Sequence, residues 1–377
     1  MRKKVIVLGA GLVGLPMALD LAQGEEFDVS VADIDSSRFR YLETNGINTV
    51  KADLRNKESL QQSISGFDYI INAVPGFMGF NTLRTCIEAG KDTIDIAFFP
   101  EDVYDLNDLA KKNNVVVISD IGVAPGMSNL LTGYAAYKLD QVDDVKIFVG
   151  GLPRIRTQPW EYKAVFSPTD IIEEYTRPAR IVRNGEIVTI DPLTEIEHLE
   201  FEKIGTLEAF NSDGLRSLLF NIKAENMVEK TLRYPGYAKK IKFLSDNGFF
   251  ASKPIKVGNN EVSPLDVTSA ILFDSWKLHE KEEDLTVMRI SVSGKINNEK
   301  CTYQFDLYDE YSRETEIHSM ARTTGYTATT ALRLLSSNRY NKPGINLGEN
   351  LGKDVEVVNF MLDGLKSKGI NYIMKQY

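Results

Sequence analysis

At 377 residues the chain exceeds what one hydrophobic core supports and fits two domains, and 43% hydrophobic with 26% charged residues excludes a disordered or membrane-embedded class. A net charge of −9 with no run of Lys and Arg argues against nucleic-acid binding, which needs a basic stripe. Cys86 and Cys301 lie far apart, and His198, His279 and His318 have no ligand spacing, so neither a disulfide framework nor a metal site is expected.

The apolar run after Arg2-Lys3-Lys4 contains Gly9, Gly11 and Gly14, is interrupted by Asp20 and lacks a small-residue cleavage site, so it reads as a core strand rather than a secretory leader. No membrane segment and a cytoplasmic location are expected. Through residue 120, β-branched runs at 4–9, 28–33, 47–51, 67–72, 92–96 and 115–119 alternate with amphipathic stretches near 12–23, 36–45, 57–64, 80–90 and 101–112. This rhythm predicts a doubly wound parallel sheet, because parallel strands need crossover helices. After Pro125-Gly126 a helix near 127–138 leads to a strand at 145–149 and a loop at Gly150-Gly151-Leu152-Pro153. Residues 285–320 read as a strand meander, with Asn297-Asn298 the turn of a hairpin. Helices follow at 322–336 and near 354–368. The expected architecture is α/β: residues 1–123 form a dinucleotide-binding domain on which 337–377 packs back, and 124–336 form a second α/β domain with a mainly antiparallel sheet.

The segment from Val5 through Gly9-Ala10-Gly11-Leu12-Val13-Gly14 joins a buried strand to a helix through GxGxxG. Gly9 permits the tight turn, Gly11 admits a pyrophosphate, and Gly14 lets helix pack on strand, with the phosphates at the helix N-terminus. This is the Rossmann arrangement. Asp33 ends the second strand, where an acid accepts hydrogen bonds from the adenosine ribose; its charge disfavours a 2′-phosphate, so NAD is expected over NADP, while Arg38 nearby keeps NADP open. Asp53 either approaches adenine or caps the next turn, and Ala73-Val74-Pro75 after the fourth strand marks the nicotinamide end of the crevice.

Asp120, directly after the sixth strand, is placed to orient an amine or take its proton; the alternative is a turn-shaping role beside Gly122 and Pro125-Gly126. Arg216 and Ser217 in Asp213-Gly214-Leu215-Arg216-Ser217, and Arg233 in Leu232-Arg233-Tyr234-Pro235-Gly236, offer guanidinium forks to a substrate carboxylate, with surface ion pairing as the alternative. Tyr162 is a further candidate pocket residue. No GxSxG elbow supports serine chemistry.

Together these segments resemble the saccharopine dehydrogenase family over nearly the whole length, most closely its lysine 6-dehydrogenase branch. The resemblance rests on Ala73-Val74-Pro75-Gly76-Phe77, Asp120-Ile121-Gly122-Val123-Ala124-Pro125-Gly126-Met127, Val149-Gly150-Gly151-Leu152-Pro153, Tyr175-Thr176-Arg177-Pro178-Ala179, the two arginine segments and Met320-Ala321-Arg322-Thr323-Thr324-Gly325-Tyr326. It implies an NAD(P)-dependent oxidation of a small amino-acid substrate at a C–N bond, lysine at its ε-amine with ammonia release, and a homodimer. It strengthens Asp120, Arg216 and Arg233 as site residues. A secondary-amine conjugate such as saccharopine or a carboxylated polyamine is the alternative substrate, and a non-catalytic dinucleotide sensor the alternative of another class.

Overall fold

The computed structural model describes residues 2–165, 168–279 and 281–377. It resolves into two compact units, Met1–Tyr137 with Ala321–Asn371, and Lys138–Met320 with Tyr372–Tyr377. The first alternates β1 (Lys3–Leu8), α1 (Gly14–Ala22), β2 (Phe27–Asp33), α2 (Phe39–Thr44), β3 (Asn48–Lys51), α3 (Lys57–Ile64), β4 (Tyr69–Asn72), α4 (Gly76–Glu88), β5 (Asp92–Asp95), α5 (Asn107–Lys112), β6 (Val116–Ile118) and α6 (Met127–Lys138). The four residues Val5 to Leu8 of β1 are buried in succession, the pattern of a strand covered on both faces. The sheet is parallel, in the order β17-β6-β5-β4-β1-β2-β3, its seventh strand being β17 (Gly344–Asn346) beside β6. Its core joins Leu8, Ile70, Leu83, Phe99, Val117 and Leu347.

The second unit is built on a mixed sheet. Its elements are β7 (Gln141–Pro153), α7 (Pro168–Thr176), β8 (Ala179–Arg183), β9 (Glu186–Ile190), β10 (Glu197–Phe201), β11 (Gly205–Asn211), α8 (Leu218–Asn221), β12 (Asn226–Arg233), α9 (Tyr237–Asp246), the hairpin β13 (Ile255–Val257) and β14 (Asn260–Val262), α10 (Pro264–Trp276), β15 (Asp284–Ile296) and β16 (Glu299–Glu310). The strand order is β10-β11-β12-β7-β15-β16-β18, where β18 is Tyr372–Gln376 and only β12 and β7 run parallel along this path. The expected hairpin turn is present: Asn297 and Asn298 have φ of 53° and 67°, the left-handed pair of a type I′ turn, closing β15 onto β16.

Three features differ from the sequence reading. Gly150-Gly151-Leu152-Pro153 is not a loop but the end of β7, paired to β15. A Cβ on Gly150 would stand 2.5 Å from the Leu232 carbonyl oxygen, and one on Gly151 2.5 Å from Val165, so these glycines serve close packing inside a strand. The unit boundaries also fall later than 123/124 and earlier than 336/337. Helix α6 and α11 (Ser319–Ser336) belong almost wholly to the first unit: Gly133 of α6 packs on Glu349, Gly325 packs on Met17, and Arg333 donates to Asp20 at 2.7 Å. Finally, the chain after α12 (Val355–Lys366) does not stay with the first unit, because β18 pairs along β16.

Candidate dinucleotide and substrate sites

In the first unit the β1–α1 turn is set by three glycines with different duties. Gly9 has φ of 104°, and a Cβ on it would meet the Ala73 carbonyl oxygen at 2.7 Å; one on Gly14 would lie 2.0 Å from the Gly9 carbonyl oxygen. A Cβ on Gly11 would meet nothing within 4 Å. The first two close the turn and the third leaves a concavity. Helix α1 begins there with Val13 at its N-cap and no side-chain cap; the Leu15 N–H donates to the Gly11 carbonyl at 3.2 Å and Pro16 has no N–H, so an anion would meet the positive end of the helix dipole and the N–H groups of the turn before it. A dinucleotide pyrophosphate fits this cradle.

Asp33 and Arg38 converge on the same peptide. The Ala10 N–H donates to Asp33 Oδ2 at 2.6 Å, Arg38 Nη1 donates to the Ala10 carbonyl at 2.7 Å, and Asp33 Oδ1 accepts from Asp35 N at 2.8 Å. Asp53 behaves as a turn cap. It accepts from the Arg55 backbone N–H at 3.0 Å and from the Arg55 guanidinium at 2.9 and 2.8 Å, and these bonds hold its carboxyl at about 2. Ala73 is tied by its N–H to Leu8, Val74 is buried and Pro75 is the N-cap of α4.

A buried polar cluster that the sequence reading missed occupies the carboxyl ends of β4, β5 and β6. Asp95 Oδ1 accepts from Asn72 Nδ2 at 2.8 Å and from Ala97 N at 3.3 Å, while Oδ2 accepts from Ser119 Oγ at 2.5 Å. Complete burial raises the Asp95 carboxyl to about 7 against the pull of these donors, and the charge of Asp120 adds to the rise. Asp120 is itself buried and has φ of 51°, in the left-handed region. A non-glycine residue held there costs on the order of 1 kcal/mol, and such outliers gather at functional sites. The signal that would have found this cluster is positional: Asn72 and Asp95 are the last residues of their strands, where α/β sheets place chemistry.

In the second unit Tyr162 and Arg233 come together. The Arg233 guanidinium lies 4.4 Å from the Tyr162 ring centroid, and its Nη2 donates to Glu174 Oε2 at 3.0 Å and Tyr175 Oη at 3.3 Å. Arg233 is only 2% exposed and is enclosed with Tyr162, Tyr175 and Tyr237. Surface ion pairing is thus not its role. Arg216, also buried, has φ of 51°. Ser217 follows at the N-cap of α8, and its Oγ is buried without a hydrogen-bond partner. On the same loop, Asp213 accepts from Arg180 Nε at 3.0 Å and Nη2 at 2.9 Å. Glu229 on β12, likewise unforeseen, is buried against this loop, and burial raises it to about 8, with Glu174 and Asp213 adding to the rise and Arg216 opposing it.

Comparison with known proteins agrees with this architecture. A model of the saccharopine dehydrogenase NADP binding domain matches residues 5–118, and one of the saccharopine dehydrogenase C-terminal domain matches 122–370. The chain belongs to the saccharopine dehydrogenase family. Relatives include the mitochondrial alpha-aminoadipic semialdehyde synthase of Rattus norvegicus, 24% identical over 70% of this chain and 29% of its own length. Saccharopine dehydrogenase [NADP(+), L-glutamate-forming] of Saccharomyces cerevisiae is 26% identical over 68% of this chain and 62% of its own length. The chain thus spans less than two thirds of both. Carboxyaminopropylagmatine dehydrogenase of Synechocystis is 22% identical over 93% of each chain. Apo saccharopine dehydrogenase (L-Glu forming) from Saccharomyces cerevisiae superposes with a TM-score of 0.83 at 19% identity over 100% of both chains, a likeness of fold. Among the described residues no helix is long and apolar enough to cross a membrane.

Proposed function

We propose that the chain is a nicotinamide-dinucleotide-dependent dehydrogenase acting at a C–N bond of an amino acid. The observation that carries the reading is the open cradle at Gly11, in a sheet whose strand ends hold the buried acids Asp95 and Asp120. Residues 9–14, Asp33 and 73–75 would hold the cofactor, which when bound supplies a hydride acceptor. Asp120 would take a proton from, or orient, the substrate amine. Arg216, Ser217, Arg233 and Tyr162 in the second unit would receive the rest of the amino acid, a carboxylate suiting the guanidiniums. Asp53, occupied by Arg55, is a weaker cofactor contact than the sequence suggests.

Lysine at its ε-amine is the first substrate to test. A second reading, a secondary-amine conjugate carrying carboxylates, is favoured by two of the relatives, whose names concern saccharopine and a carboxyaminopropyl compound. Asp33 favours NAD, since its carboxylate would repel a 2′-phosphate, whereas Arg38 beside it and the matched NADP-binding model favour NADP. Formation of NADH or NADPH with purified protein and lysine, saccharopine, ornithine or carboxylated polyamines decides among these. Turnover of lysine with ammonia release supports the first reading, turnover of saccharopine alone moves it to the second, and cofactor binding with no amine oxidised would sink both in favour of a sensor. Light scattering in the same preparation tests the proposed homodimer.

A further inference from the structure

Glu229 lies on β12 in alternation with Thr231 and Arg233, so the three side chains share one face of the strand. It is 5% exposed. One carboxyl oxygen, Oε1, lies against Gly214, where a Cβ would come within 1.7 Å of it, so a larger residue at this point of the Asp-Gly-Leu-Arg-Ser loop would displace the carboxyl. The other, Oε2, is buried with no hydrogen-bond partner, as is Ser217 Oγ three residues beyond Gly214. A buried, unsatisfied oxygen costs about 1–3 kcal/mol, and two associated with one loop call for a ligand that uses them.

The groups around Glu229 specify which ligand. Glu174 from α7 and Asp213 from the loop repel a negative charge on it, Arg216 from the loop attracts one, Arg233 is paired with Glu174, and Arg180 from β8 is paired with Asp213. Burial with two neighbouring acids keeps the carboxyl protonated at neutral pH. A protonated carboxyl offers an O–H donor where an ionised one offers only acceptors. We propose that Glu229 is a substrate-binding residue that, as a neutral acid against the loop carrying Arg216 and Ser217, donates a hydrogen bond to a carboxylate of the substrate. This rests on the amino-acid reading above and assigns that reading's carboxylate to a particular donor. When Glu229 ionises, the donor is lost and a repulsive charge takes its place.

Glutarate tests this without turnover, because both its carboxyls ionise near pH 4 to 5 and it stays a dianion above about pH 6.5. Its Kd for the full-length protein with NADH present is measured by ligand-observed NMR from pH 6.5 to 9.5. With Glu229 titrating at about 8, the wild-type Kd should rise about 30-fold across this range, and the Kd of Glu229→Gln should stay level. A level wild-type curve, an absence of glutarate binding at every pH, or an unchanged rise in Glu229→Gln overturns the inference. The wild-type curve decides alone if the variant does not fold. Glutarate binding with this pH profile but no amine oxidation would instead overturn the proposed function and leave the carboxylate site standing.

Discussion

Asp95→Asn should be stabilised relative to wild type as pH rises, the reverse of the usual acid-side behaviour of a native carboxylate. In the folded chain burial holds Asp95 at about 7, far above the ordinary aspartate value of 3.8. The group binds its proton more tightly folded than unfolded. Its stabilising contribution is therefore fully present below the unfolded value and is lost as pH rises through the folded one. Between pH 5 and pH 8 the loss is roughly 2.5 kcal/mol, and asparagine, which does not titrate, escapes it. The replacement keeps most of the local bonding: Oδ1 still accepts from Asn72 and Ala97, and Ser119 Oγ turns from donor to acceptor for the new amide. Urea unfolding of both proteins at pH 5 and 8, read by circular dichroism, supplies the difference. Because Asp120 contributes to the rise, Asp120→Asn should shrink the wild-type pH dependence attributed to Asp95. Parallel stability curves for wild type and Asp95→Asn would refute the account of a buried acid that resists ionisation.

Gly11→Ala should fold and melt as wild type yet bind NADH at least tenfold more weakly, about 1.4 kcal/mol, because its Cβ meets only the space meant for phosphate. Gly14→Ala, whose Cβ meets Gly9 at 2.0 Å, should lose both cofactor binding and roughly 1–3 kcal/mol of stability; fluorescence titration and thermal melting separate the two cases. Arg233→Ala removes a buried guanidinium together with its contacts to Tyr162, Tyr175 and Tyr237 and should cost about 2–4 kcal/mol, measurable by urea unfolding. Burial pushes the Cys86 thiol up to about 12, so it should resist a thiol reagent at pH 8 until the protein is unfolded. Oxidation of lysine should accelerate from pH 7 toward 9, since the reacting amine must be neutral and its solution value is about 10.4; a falling rate with intact protein would contradict it.

What was legible in the sequence follows from the range of the forces involved. The β1–α1 turn and the six β/α repeats are local, and their periodicity survives in one dimension. So does the Asn297-Asn298 turn, because two left-handed residues in succession are a demand few residue types meet. The Gly150-Gly151 pair misled because glycine punctuates loops and also permits close approach within a strand; only the Leu232 carbonyl and the Val165 side chain, both far along the chain, decide between the two. The three residues of β17 are too few to show a period at all. Boundaries shifted for a similar reason, since α11 is placed by Gly325 and Arg333 meeting Met17 and Asp20 some three hundred residues away.

The site divides along the same line. The glycines, Asp33, Asp120, Arg216 and Arg233 stand in recognisable local motifs, whereas Asn72, Asp95, Glu174 and Glu229 do not. Glu229 sits in Asn226-Met227-Val228-Glu229-Lys230, a stretch with no motif to mark it, yet both Glu229 and Lys230 are buried. Lys230 is neutralised by Glu197 at 2.6 Å, the ordinary solution for a buried charge. Glu229 has no such pairing at Oε2, and its neighbours Glu174 and Asp213 oppose its ionisation. Adjacent residues on one strand thus meet the cost of burial in opposite ways, one by pairing and one by staying neutral. The second leaves a donor unspent, which is why the chemistry of this unit is sought at Glu229 rather than at the better-paired charge beside it.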